Sequence, residues 1–138
     1  MSEEPTQVPS RDLPVDDARA SILMVEDNAD VRLMGATLLE DAGFEVHQAG
    51  DADEALSMIR EGLGFDLLFT DIVMPGDMDG VALAAEVRRL QPGVPVLLTT
   101  GWGDRPNDHG LDLIGKPYRA PELTEKVRSL LDAPATPG

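Results

Sequence analysis

Four points along the 138-residue chain place a reactive or charged group directly after an apolar run. Glu26 and Asp27 follow "SILMV", Asp71 closes "LLFTD", Thr99 and Thr100 end "VPVLLTT", and Lys116 follows "LDLIG". If these points met, three carboxylates would repel one another severely unless a cation sat among them. Hard oxygen ligands with room for water suit Mg²⁺. An ammonium and a hydroxyl facing that cation would complete a site for a phosphoryl group, because all three groups contact oxygens that carry charge during transfer. Asp71 would then be the nucleophile.

The elements around these points explain why they should meet. "SILMV" (21–25) reads as a buried strand. Asn28 then caps a helix turning Val31, Met34, Leu38 and Leu39 inward, with Gly43 as its stop. "FEVHQA" alternates like a strand with two different faces, and Asp51 with Glu54 resembles a capping box for a helix burying Ala55, Leu56 and Ile59. Leu67, Leu68 and Phe69 read as a strand buried on both faces, surfacing at Thr70-Asp71. A helix with Leu83, Ala84, Val87 and Leu90 on one face follows, then the strands "VPVLLTT" and "LDLIG". A last helix from about Pro121 to Leu131 buries Leu123, Val127, Leu130 and Leu131. Strands alternating with helices predict an α/β fold, a parallel sheet covered on both faces. Ligands of such sheets sit outside the carboxyl ends of the strands. Every candidate group lies at such an end.

Composition narrows the function classes. Eleven basic against 26 acidic residues leave a net charge of −15, which would repel both nucleic acid and an anionic membrane face. With no cysteine, disulfides and thiolate–zinc sites are excluded, and the apolar runs are too short to span a bilayer. Residues 1–19, acidic with three prolines and no apolar core, read as a flexible leader and not a signal peptide, so the expected location is the cytoplasm. Residues 20–132 read as one domain, and 133–138 as a flexible tail.

The motifs "VEDN", "DIVMPGDMDG", "PVLLTTG" and "GKP", in this order and spacing, resemble the receiver domains of bacterial two-component response regulators over residues 20–132. The resemblance implies a doubly wound, five-stranded parallel sheet of flavodoxin-like order 2-1-3-4-5. It implies that Glu26 and Asp27 hold Mg²⁺, that the Val73 backbone carbonyl completes the metal site, and that Asp71 is the phosphoacceptor. Thr100, followed by the small Gly101, matches the switch hydroxyl, and Lys116 matches the lysine before a proline that is usually cis. The Pro-Gly turn after Asp71 is expected to clear space around it. The implied donor is a histidine kinase or histidine phosphotransfer protein. With only a few residues after the last helix, a stand-alone receiver is expected, acting on a downstream protein partner or as a phosphate shuttle or sink.

Taken singly, each group has a plainer reading: a helix cap for Glu26-Asp27, a turn acid for Asp71, a strand-end hydroxyl for Thr100, a surface charge for Lys116. Only the coincidence of four furnished strand ends points to one site. His47 and His109 read as solvated surface, and Trp102 as either a partner contact or a ring packed on its own domain.

Two positions depart from the family pattern. Leu113 stands where many receivers carry an aromatic that rotates on activation, and the segment between Thr100 and Lys116 is short and rich in Gly, Pro, Asp and Asn. The fourth helix is therefore expected to be short or absent, with activation ordering residues 101–110 instead. "PGDMDG" and "LLTTGW" look most like receivers working with hybrid sensor kinases, so a receiver fragment of such a kinase is an alternative. A phosphohydrolase with an Asp nucleophile generally has a second acid two residues on, where Val73 stands, and a flavodoxin-like cofactor binder lacks its phosphate loop at "EDNAD". The chain is not expected to be an enzyme beyond its own phosphotransfer and slow dephosphorylation.

Overall fold

The computed structural model describes residues 20–74, 76, 78–100 and 112–132. The expected leader and tail, the segment of the expected short fourth helix with its ordering on activation, and Trp102 and His109 lie outside the described residues.

The described chain runs β1 (Ser21–Val25), α1 (Ala29–Asp41), β2 (Glu45–Ala49), α2 (Ala52–Arg60), β3 (Leu67–Asp71), α3 (Gly80–Leu90), β4 (Val96–Thr100), β5 (Asp112–Gly115) and α4 (Ala120–Asp132). The strands form one parallel sheet in the order β2-β1-β3-β4-β5. Central strands in such a sheet are covered on both sides, which is why β3 and β4 are buried at every position. Alternation sends Leu23, Val25, Leu68 and Leu98 into one core with Ala55, Leu56, Leu83, Ala84 and Val87 of α2 and α3. Ile22, Met24, Leu67, Phe69 and Leu97 enter the other core, with Leu39, Leu123 and Val127 of α1 and α4.

The expected caps are in place. Asn28 Oδ1 accepts from Val31 N at 3.0 Å, and Asp51 Oδ1 accepts from Glu54 N at 2.8 Å while Glu54 reaches back to Gly50 N at 2.7 Å. Gly43, at φ 102°, ends α1 with its N–H on Glu40 O.

Burial corrects two assignments. Met34 is 44% exposed rather than inward, because α1 lies close to the sheet on the small residues Gly35 and Ala36, with Leu39 beyond them. Leu90, in the last turn of α3, is 39% exposed, whereas Leu130 and Leu131 of α4 pack, partly buried, against the second core. No helix among the described residues is long and apolar enough to cross a membrane.

Candidate phosphoryl and metal site

Strand register brings the sequence-predicted residues together. Val25 pairs with Thr70, Asp71 with Thr99, and Thr100 with Gly115, so the carboxyl ends of β1, β3, β4 and β5 form one rim. Backbone bonds carry the pairing to the rim: Glu26 N donates to Ala49 O, Ile72 N to Thr99 O, and Lys116 N to Thr100 O at 2.8 Å.

Glu26 is only 2% exposed. Its Oε2 accepts from Asn28 N at 3.1 Å, and its backbone carbonyl accepts from Arg32 Nη1 at 2.7 Å, so α1 fixes the turn that carries it. The Lys116 ammonium donates to Asp71 Oδ2 at 2.9 Å and lies 2.8 Å from Glu26 Oε1. That second contact is an ion pair without hydrogen-bond alignment, which leaves Glu26 Oε1 buried with no directed donor. Burial pushes the Glu26 carboxyl above its ordinary pKa despite the lysine and the Asn28 amide. Burial also works against the Lys116 ammonium, but Glu26 and Asp71 together outweigh it and hold that pKa above the ordinary value. The asymmetry has a simple cause: one ammonium is shared by two carboxylates.

Asp27, exposed at the rim, contributes a third carboxylate, and one oxygen each from Glu26, Asp27 and Asp71 lie within 4.8 Å of one another. Three carboxylates and one ammonium leave a formal charge of −2 there, and Glu26 Oε1 lacks a directed partner. A hard divalent cation fits both facts.

The remaining predicted residues stand nearby with less engagement. Val73 is 68% exposed, and its N–H makes a long 3.4 Å contact with Asp71 Oδ1. Thr100 is buried and reaches Lys116 through its backbone carbonyl, with no hydrogen bond from its hydroxyl to Asp71 or Lys116. The Lys116–Pro117 bond is cis, as the family resemblance implies. Leu113 is partly buried against the α2/α3 core. His47 is partly buried on β2, 3.4 Å from Glu45, rather than freely solvated.

Sequence reasoning missed the glycine that clears space beside Asp71. Gly76, at φ 98°, shapes the turn but faces open space. It is Gly80, the first residue of α3, whose missing Cβ matters: one there would run into the Asp71 backbone carbonyl. Its N–H donates to Ile72 O at 2.8 Å, and Asp79 caps the helix through Ala82 N. Also missed was Tyr118, 4% exposed, which sets its ring edge-on to Phe69 with centroids 5.6 Å apart. Its hydroxyl has no partner, and burial, with Glu26 nearby, pushes its pKa up to about 12.

A family model described as "Response regulator receiver domain" matches residues 22–128. The chain is 38% identical over 120 residues to the C4-dicarboxylate transport transcriptional regulatory protein DctD of Rhizobium meliloti, a match covering 80% of this chain and 25% of DctD. It is 32% identical over 120 residues to the response regulator receiver protein CpdR of Brucella abortus, covering 81% of this chain and 97% of CpdR. Among solved structures it is similar to the receiver domain from the hybrid histidine kinase CckA, with 35% identity, a TM-score of 0.70, and coverage of 81% of this chain and 99% of that one.

Proposed function

The chain belongs to the response regulator receiver domain family, and from that premise we propose that it accepts a phosphoryl group on Asp71 from a phosphohistidine of a histidine kinase or histidine phosphotransfer protein. The observation that carries this reading is the joining of three strand ends by one ammonium, with Lys116 Nζ 2.9 Å from Asp71 and 2.8 Å from Glu26. An Asp71 carboxylate oxygen attacks phosphorus, the P–N bond breaks, and its electron pair leaves with the imidazole. Lys116 brings its ammonium to the phosphoryl oxygens, and Thr100 offers its hydroxyl to the same group. Glu26, Asp27, Asp71 and the Val73 carbonyl would hold Mg²⁺, which when bound offsets the negative charge of the carboxylates and the incoming phosphoryl group.

The domain acts in the cytoplasm through a downstream protein partner, or as a phosphate shuttle or sink, rather than by turning over an external phosphoester. A stand-alone receiver agrees with the near-complete coverage of CpdR, whereas a receiver working with a hybrid kinase agrees with the likeness to the CckA receiver.

The test is intact-mass measurement after treatment with acetyl phosphate. One phosphoryl group should be gained with Mg²⁺, none with EDTA, and none in Asp71→Asn. Labelling that persists in that variant refutes the assignment, and multiple turnover of p-nitrophenyl phosphate would favour a phosphohydrolase.

A further inference from the structure

Among the described residues, three buried side-chain polar atoms lack a hydrogen-bond partner: Glu26 Oε1, Thr99 Oγ1 and Tyr118 Oη. Buried polar groups are nearly always paired, so such an orphan calls for a reason. Thr99 is 2% exposed and forms the β4 partner of Asp71 in the β3–β4 register. Register partners in adjacent parallel strands face the same side, and Leu97, two residues before Thr99, packs with Phe69, two before Asp71. Thr99 therefore shares the face that carries Asp71. Ile114, its β5 partner, is on that face as well, and Lys116 lies two residues beyond.

The sheet order places β4 between β3 and β5. To reach Asp71 and Glu26, the Lys116 side chain must cross β4, over the position Thr99 occupies. In this structure the ammonium takes one oxygen from Glu26 and one from Asp71, two of the three acids that would hold a cation. A divalent cation among those acids repels the ammonium. The lysine then draws back along its own path, and its ammonium, partly buried at 21% exposure, gains from an acceptor on the buried part of that path.

We propose that Thr99 is a positioning residue for Lys116: its buried hydroxyl accepts a hydrogen bond from the ammonium when a divalent cation takes over Glu26 and Asp71. The hydroxyl is left over in one state because it serves the other. This inference rests on the metal site proposed above and adds a residue that is neither metal ligand nor phosphoacceptor.

Calorimetric titration of the full chain with Mg²⁺ tests it, without reference to phosphorylation. Thr99→Val, close to isosteric, should fold with metal-free thermal stability at least that of the unaltered protein, since it removes an unpaired buried hydroxyl. Its Mg²⁺ affinity should fall about tenfold, the scale of one hydrogen bond to a charged group. Thr99→Ser should restore the affinity. In a Lys116→Met background, where no ammonium has to be relocated, Thr99→Val should have no further effect.

Equal Mg²⁺ affinity in the unaltered protein and Thr99→Val overturns the inference while leaving the metal site standing. An undiminished loss in the Lys116→Met background overturns it too, because the hydroxyl would then act by another route. Absence of Mg²⁺ binding in the unaltered protein overturns both the inference and the metal site.

Discussion

The Tyr118 hydroxyl occupies space that Gly35 leaves by having no side chain: a Cβ at Gly35 would stand 2.6 Å from the phenol oxygen and would also meet the end of Met24. Helix α1, which carries the cap after Glu26 and Asp27, thus lies against the residue two beyond Lys116 through a contact that tolerates no methyl group.

Gly35→Ala should therefore destabilise the protein by about 1–3 kcal/mol of overpacking, partly offset by roughly 1 kcal/mol from the better helix former. Adding Tyr118→Phe removes the colliding oxygen and should recover part of the loss, the contact with the flexible end of Met24 remaining. Urea unfolding of the two single variants and the double variant measures the coupling, and additive losses would show that the phenol is not the obstacle.

Tyr118 is the chain's only tyrosine, so its titration can be followed by phenolate absorbance without interference. Its folded pKa is raised to about 12 from 10.0, so the folded state holds the proton more tightly than the unfolded state. The stability this provides is complete below pH 10 and is lost as pH rises through that window. Phenolate should thus appear only near the top of the window or together with unfolding, and Tyr118→Phe should flatten the alkaline loss. A phenolate transition near pH 10 in the folded protein would contradict the burial.

Gly80→Ala sets a new methyl against the backbone carbonyl of Asp71, and backbone yields less readily than a flexible side-chain end. A loss of about 1–3 kcal/mol, or more, is expected, together with slower phosphorylation by acetyl phosphate as α3 pushes Asp71 out of place. Gly76→Ala should differ in kind. It strains a backbone held at φ 98° but leaves the rate per folded molecule unchanged, since nothing lies within 4 Å of a Cβ there. Equal rate losses in the two variants would refute the distinction.

Metal should stabilise the fold by mass action, by about 2.7 kcal/mol at a hundred times Kd. Thermal melting over a Mg²⁺ series should show a rising Tm that EDTA abolishes. Asp27→Asn, altering an exposed ligand, should lose most of this response with little effect on the metal-free Tm. A full response in that variant would remove Asp27 from the site.

The rim was legible in the sequence because each central strand is an unbroken apolar run, and the first acid or lysine after it marks where the strand leaves the core. Glu26 and Asp71 are legible that way, Lys116 only through the shorter, acid-interrupted run of the edge strand β5, and the structure places all three within ion-pair reach. The helices were less legible, because hydrophobic periodicity favours large residues. In α1 it points to Met34, whereas Gly35 and Ala36 face the sheet, since close approach there selects for small size over apolarity. Gly80 and Tyr118 escaped for a related reason. What each contributes depends on a neighbour far along the chain, Gly80 on Asp71 and Tyr118 on Gly35, and no local pattern records such a contact.

The bond between Lys116 and Asp71 closes 45 positions of chain, and β4 lies between the strand that ends at Asp71 and the strand that precedes Lys116. It is a long-range contact spanning an intervening strand, so its closure entropy is offset together with the β3–β4 and β4–β5 pairings that surround it. On the function proposed above, phosphoryl uptake draws on β5 as much as on β3, because the ammonium comes from the one and the carboxylate from the other. On that same proposal, a copy lacking β5 would lack the Lys116 ammonium and would take up a phosphoryl group poorly, so an intact far edge of the sheet is a condition of carrying the signal.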